Sequence, residues 1–268
     1  MIGDEPYLPY DRPPLSKQFL TGAWAADRLS LRTSAGVADL DLLLGTAATG
    51  LDPGERTVEP EDSSSVPYDG LIIATGVRPR RLPGEGVHTL RTLDDALALR
   101  DVLKPGRWLV VVGAGFLGAE VAVVARQRDY AVTLLEPASL PMAHAVGDEV
   151  GRMLTGAHMA HDVDLRCGVT VTDATGQGVR LEDGELIDTD GVLVAVGSLP
   201  NAVWAEGIGL GADDRAVSDE HSQAAPNVYV AGDVARWHSP AVRHVDADRA
   251  PYQRRRTGHG RRPQPAPP

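Results

Sequence analysis

At 268 residues with 43% hydrophobic side chains, the chain can bury a large core and divide into about two domains. Its formal charge of −11 argues against a general nucleic-acid or anionic-membrane binder. The single cysteine, Cys167, excludes an intramolecular disulfide, a Cys-x-x-Cys redox pair and a thiolate zinc site built within one chain. It reads as a small core residue.

The chain opens on "MIGDEPYLPYDRPPLSK", an acidic, proline-rich stretch with no room for a long strand or helix. No basic segment followed by an apolar one occurs there, so no secretory leader is expected and the protein is expected to be cytoplasmic. Residues 19–31 have mixed helical spacing. Residues 39–58 read as a strand, a turn at Asp52-Pro53-Gly54 and a return strand. Residues 71–74 form a buried strand that ends in a Thr-Gly turn and a Pro/Arg-rich linker. Residues 93–103 have the apolar spacing of a helix, with aspartates near its N-terminus, where the helix dipole favours acids.

Residues 108–125, "WLVVVGAGFLGAEVAVVA", are long and apolar enough to suggest a membrane helix. Glu120 and three glycines in the middle favour a buried strand running into a helix instead. The unit reads as strand 109–112, glycine turn 113–118, helix 119–127 and strand 131–135. Strand, helix, strand with wholly apolar strands is the pattern of a parallel sheet covered on both faces, and the predicted class is α/β. Residues 169–197 read as an antiparallel meander feeding a buried strand at 192–196, and 227–235 as one more buried strand ending in Gly-Asp. Beyond about residue 243 periodicity is lost, and "RAPYQRRRTGHGRR" carries six arginines. A disordered basic tail over 241–268 is expected there, with a nucleic-acid or lipid patch as the other reading.

"VVVGAGFLGAE" fits G-x-G-x-x-G at Gly113, Gly115 and Gly118. The first glycine makes a tight turn, the second lets the backbone approach a pyrophosphate, and the third lets helix and strand pack closely. The helix N-terminus attracts the phosphate charge. Glu136 stands 18 residues beyond Gly118, directly after the next strand. A carboxylate there can accept hydrogen bonds from a ribose 2′-OH and repels a 2′-phosphate, so NAD(H) is expected rather than NADP(H).

Five stretches occur together in one order: "PYDRPPLSK" (9–17), "LIIATGVRPRRLPG" (71–84), "VVVGAGFLGAE" (110–120), "VAVGSLPN" (194–201) and "VYVAGDVAR" (228–236). Over roughly residues 1–240 the sequence resembles the FAD-dependent, NADH-using ferredoxin reductases, flavoenzymes that reduce [2Fe-2S] ferredoxins for bacterial oxygenase systems. The resemblance implies two interleaved Rossmann-like dinucleotide-binding domains. The FAD domain would occupy 1–85 and 203–240, and the NAD domain, with its small antiparallel meander, 86–202. By motif, FAD would be met by Asp4, Arg12, Lys17, Ala48, Thr75, Gly76, Arg80, Gly232 and Asp233. NAD would be met by Gly113, Gly115, Phe116, Leu117, Gly118, Glu136 and Gly197, with Phe116 flanking the nicotinamide. Glu120 would reach across the domains to Lys17 beside the flavin, and the two form the implied catalytic pair. As a buried ion pair it would cost about 3–5 kcal/mol to split.

The pattern is departed from at both ends. A ferredoxin reductase opens with a strand, its own G-x-G-x-x-G and a helix before "IGDEP", so the FAD domain is expected to be incomplete and to hold FAD weakly. The tail is expected to be frame-shifted coding sequence, because plausible codons for 253–259 give Asn-Ala-Val-Glu-Gln-Gly in a shifted frame. Two functions remain open on the sequence. One is an oxidoreductase passing hydride from NADH to FAD and electrons on to a ferredoxin, with no nucleic-acid or membrane partner. The other is a non-catalytic NAD-binding remnant.

Overall fold

Largely apolar runs at 109–112, 131–135 and 191–194, with an alternating strand at 163–167, build the central layer. In a computed structural model describing residues 1–31, 40–209, 211 and 215–237, the run begins with β1 (Trp108–Val112), β2 (Ala131–Glu136) and β3 (Val163–Cys167). An antiparallel meander follows, of β4 (Val171–Thr175), β5 (Gly178–Leu181) and β6 (Leu186–Asp188), and then β7 (Gly191–Val194). The sheet order is β3-β2-β1-β7, every pair parallel, with Leu109 opposite both Val132 and Gly191. Parallel strands need crossovers. Helix α2 (Phe116–Arg126) joins β1 to β2, and α3 (Ala143–Val146) with α4 (Asp148–Ala160) joins β2 to β3. Helix α1 (Leu93–Val102) precedes them and closes its N-terminus with a capping box between Thr92 and Asp95.

Alternation along β1 sends residues to both faces, and both are covered. Val110 and Val112 join Leu135, Val192 and Val194 against Val179, Leu181 and Ile187 of the meander. Leu109 and Val111 point the other way and are equally buried, as are Val121, Ala122 and Ala125 of α2, which packs on β1 and β2. The 108–125 run is thus a strand and a helix split by glycines. Among the described residues no helix is long and apolar enough to cross a membrane.

The chain divides into two compact units. One holds Pro9–Leu31 and Pro79–Ser198; the other holds the described residues of Met1–Leu8, Arg32–Arg78 and Leu199–Pro268. This division differs from the sequence-based bounds at 85, 202 and 240, most clearly at 9–31, which the sequence places in the first FAD segment. In the unit containing the parallel sheet, that stretch buries Leu15, Phe19, Leu20 and Leu29 at 1–3% exposure. The Tyr10 hydroxyl accepts the N–H of Leu93, an orphan donor of α1, at 2.9 Å. The Arg100 guanidinium stacks 4.8 Å from the Phe19 ring centre, and Arg128 at the end of α2 donates to the Thr21 carbonyl. The mixed spacing of 19–31 resolves into turns and one short 3-10 turn, Ala26–Leu29.

The other unit is made of short strands. Ile2–Gly3 lies parallel to Leu43–Leu44. Ala48–Asp52 and Thr57–Pro60 form the expected hairpin, whose turn is fixed by Asp52 accepting from the N–H groups of Gly54 and Glu55. Val228–Val230 runs parallel to Leu71–Ile73 and antiparallel to Gln223–Ala225. Ile73, Ala202, Ala205, Ala216, Val228, Val230 and Val234 form its core. The predicted tail, 241–268, lies outside the described residues.

Helix α4 turns an imidazole inward. His158 is 5% exposed, and burial, reinforced by neighbouring His161, lowers its pKa from the usual 6.5. The folded state therefore takes up a proton less readily than the unfolded chain. Above the unfolded value both states are neutral and pH has no effect; below it, acid favours unfolding. The melting temperature is expected to fall as pH drops below about 6.5. His158→Gln should flatten that fall; an unchanged slope in thermal melts across the range would show that His158 does not set it.

Candidate nucleotide-binding site

Three glycines in one turn meet three different demands. Gly113 ends β1 at φ +102°, and its N–H donates to the Leu135 carbonyl at 2.7 Å. A Cβ there would stand 2.5 Å from the Ala195 carbonyl oxygen, so conformation and space both require glycine. Gly118 lies inside α2, where a Cβ would come 1.9 Å from the Gly113 carbonyl oxygen. The helix thus starts at Phe116, three residues before the expected 119, because this close approach lets it run straight off the turn. Gly115 is unlike either. Its φ of −75° suits any residue, and a Cβ on it would meet nothing within 4 Å. The chain's own packing does not ask for glycine at 115. The open space beside that backbone fits a group that must come close to it.

Helix α2 begins without a side-chain cap and without an acid in its first turn, in contrast to α1. Its first N–H groups and positive dipole end face that same space, which suits a phosphate. Phe116, the first helical residue, is 50% exposed, and Leu117 beside it is half-buried. Gly197 follows β7 at φ +97° and accepts the Arg80 N–H at 3.0 Å. Strands β1 and β7 are the pair about which the strand order reverses. The crevice beyond their carboxyl ends is where open α/β sheets take ligands.

Glu136 ends β2, half-buried, with each carboxylate oxygen engaged. One accepts from the Ala114 N–H at 2.8 Å and the other from the Ala138 N–H at 3.0 Å. The side chain therefore braces the glycine turn, and each oxygen keeps a further lone pair for a ribose hydroxyl. Cys167 lies opposite Glu136 in the β2–β3 register, and burial together with that carboxylate pushes its thiol pKa up. A thiol held protonated is a poor nucleophile, in keeping with a packing role.

Lys17 and Glu120 meet within the unit of the parallel sheet, not across two domains. Nζ lies 2.6 Å from Glu120 Oε2, with side-chain exposures of 42% and 37%. A pair this open contributes at most about 1 kcal/mol. The 3–5 kcal/mol expected for a buried pair does not apply. Arg12 is tied to the Arg91 carbonyl at 2.8 Å and to the Tyr10 hydroxyl at 3.2 Å.

Arg80 also stands in the unit of the parallel sheet, and the remaining residues expected at FAD stand in the other unit. Asp4 is exposed just after Ile2–Gly3, and Ala48 opens the hairpin. Thr75 and Gly76 are gripped by Asn201, a residue the sequence reading left unassigned within "LPN". The Thr75 hydroxyl donates to the Asn201 carbonyl; the Asn201 N–H donates to the Gly76 carbonyl at 2.9 Å, and its amide to the Thr75 carbonyl at 3.3 Å. Arg78 completes the grip through Asn201 Oδ1 at 3.1 Å. Gly232, at φ +78° with open space beside it, and half-buried Asp233 form a short turn after Val228–Val230.

The profile of the pyridine nucleotide-disulphide oxidoreductases matches residues 1–253. The ferredoxin–NAD(+) reductase component of the p-cumate 2,3-dioxygenase system of Pseudomonas putida is 36% identical over 244 residues, 88% of this chain and 60% of that protein. Among solved structures, Fdr9 superposes with a TM-score of 0.85 at 39% identity, covering 95% of this chain and 64% of that one. Putidaredoxin reductase in covalent complex with putidaredoxin superposes with a TM-score of 0.82 at 34% identity, covering 89% and 62%. The chain spans about 60% of the length of the curated relatives it matches.

Proposed function

The chain belongs to the pyridine nucleotide-disulphide oxidoreductase family, and from that premise we propose that it serves NADH-dependent electron transfer through FAD to a [2Fe-2S] ferredoxin of an oxygenase system. The observation that carries this reading is Gly115, a glycine whose own chain leaves the space beside it empty. The similarity to a ferredoxin–NAD(+) reductase component and to putidaredoxin reductase supports the ferredoxin end. With one cysteine, the chain holds no thiol pair to receive electrons. A site for NADH also belongs with the cytoplasmic pool of that reductant, where we place the protein.

When bound, NADH supplies a hydride and FAD accepts it. The protein's part is to bind and orient. In this reading Gly113, Gly115, Leu117, Gly118 and the first N–H groups of α2 hold the pyrophosphate, and Glu136 holds the ribose. Phe116 and Gly197 border the nicotinamide. Lys17, steadied by Glu120, presents an ammonium to the flavin. Asp4, Arg12, Ala48, Thr75, Gly76, Arg80, Gly232 and Asp233 are the proposed FAD contacts. The Pro9–Leu31 and Pro79–Ser198 unit then carries every proposed NAD contact.

Calorimetric titration of the purified chain tests this reading. NADH is expected to bind at least about ten-fold tighter than NADPH, since Glu136 repels a 2′-phosphate. Glu136→Ala should shrink that ratio. No heat on adding NADH would sink the reading; NADH binding without bleaching of added FAD would favour the remnant instead.

A further inference from the structure

Ser16 is the buried polar residue of the 9–31 loop, and the proposed function leaves it unused. It is 4% exposed and closes the 3-10 turn Pro13–Ser16, whose first two positions are prolines and whose Pro14 and Leu15 are buried. Its Oγ lies 2.6 Å from Glu120 Oε2, the same oxygen that receives the Lys17 ammonium at 2.6 Å. The alternative acceptor, the Pro13 carbonyl, stands at 3.5 Å, so the hydroxyl proton belongs to the carboxylate. That assignment turns an Oγ lone pair toward the Lys17 Nζ, 3.4 Å away. The three groups close a ring in which ammonium donates to hydroxyl and carboxylate, and hydroxyl donates to carboxylate.

The members of the ring differ in stiffness. Lysine is a point charge on a flexible stem, held here by a half-exposed ion pair and by a longer contact, 3.3 Å, to the Pro13 carbonyl. Serine is short, buried and set on a proline-fixed turn. A hydrogen bond to a carboxylate is also roughly twice as strong as one between neutral groups.

We propose that Ser16 is a positioning residue: its hydroxyl anchors the Glu120 carboxylate and thereby fixes the Lys17 ammonium at one place on the loop. That this place adjoins a flavin rests on the function proposed above; the anchoring does not. The chain has only two lysines, Lys17 and Lys104, so acetylation by acetic anhydride, read by mass spectrometry on the full chain, carries its own reference. Ser16→Ala is expected to raise the Lys17-to-Lys104 labelling ratio by about three- to ten-fold, given the strength of a charged hydrogen bond discounted for exposure. Glu120→Gln should raise it at least as far, and Ser16→Thr, which keeps the hydroxyl, should restore the wild-type ratio. A ratio unmoved by Ser16→Ala, or not restored by threonine, overturns the proposal. A merely structural serine would lower the melting temperature and leave the ratio alone. Failure of the NADH reading would appear separately, as absent NADH binding by a chain with protected Lys17.

Discussion

Gly118→Ala is expected to lower the melting temperature by about 2–12 °C, from an overpacking cost of about 1–3 kcal/mol in a chain of this size. The added methyl would stand 1.9 Å from the Gly113 carbonyl oxygen. That carbonyl has nowhere to go: Gly113 is tied to Leu135 through its N–H and stands against Ala195 on its other side. Gly115→Ala makes the contrast. An extra methyl there touches no protein atom, and the loss of a favourable N-cap glycine is offset by a less flexible unfolded chain, so stability should move by less than about 1 kcal/mol. NADH binding should nevertheless fall at least about ten-fold, because the methyl fills the space where a pyrophosphate meets the backbone. Thermal melts and NADH titrations of the two variants give opposite patterns. Equal stability losses at both positions would remove the argument for a ligand at Gly115.

Phe19→Ala should be the most destabilising single change in the first thirty residues, costing about 3–5 kcal/mol as a fully buried aromatic. The ring is 1% exposed in a stretch without regular structure beyond short 3-10 turns, and it also loses its stacking with Arg100. Urea denaturation monitored by tryptophan fluorescence measures the cost. A change below about 1 kcal/mol, the size expected of a surface loop, would show that 9–31 is not part of that core.

What was legible in the sequence was local. Residues 109–112 are wholly apolar and run directly into three glycines, so strand, turn and helix could be read within a dozen positions. The Asp52-Pro53-Gly54 turn carries its own chemistry in the same way. Helix α4 stayed hidden because its apolar pattern misleads. Gly151 and His158 face inward while Val150, Met153 and Met159 are exposed, the reverse of an amphipathic signal. Strand β3 alternates Asp164 and Arg166 with Val163, Leu165 and Cys167, a period-two strand signal that the sequence does carry. The Lys17–Glu120 pair came from resemblance alone, since about a hundred positions separate the partners and no periodicity links them. Ser16 and Asn201 stood inside quoted motifs, and only their bond partners mark them out. Burial was also out of reach: the same two residue names describe a half-exposed pair or a sealed one.

The stretch from Pro9 to Leu31 is written in the gene some fifty codons before the body of the unit it completes. A single crossover between residues 31 and 79 of two family members would separate Phe19 from Arg100 and Ser16 from Glu120. A working exchange of this unit between relatives needs two inserted segments, transferred together.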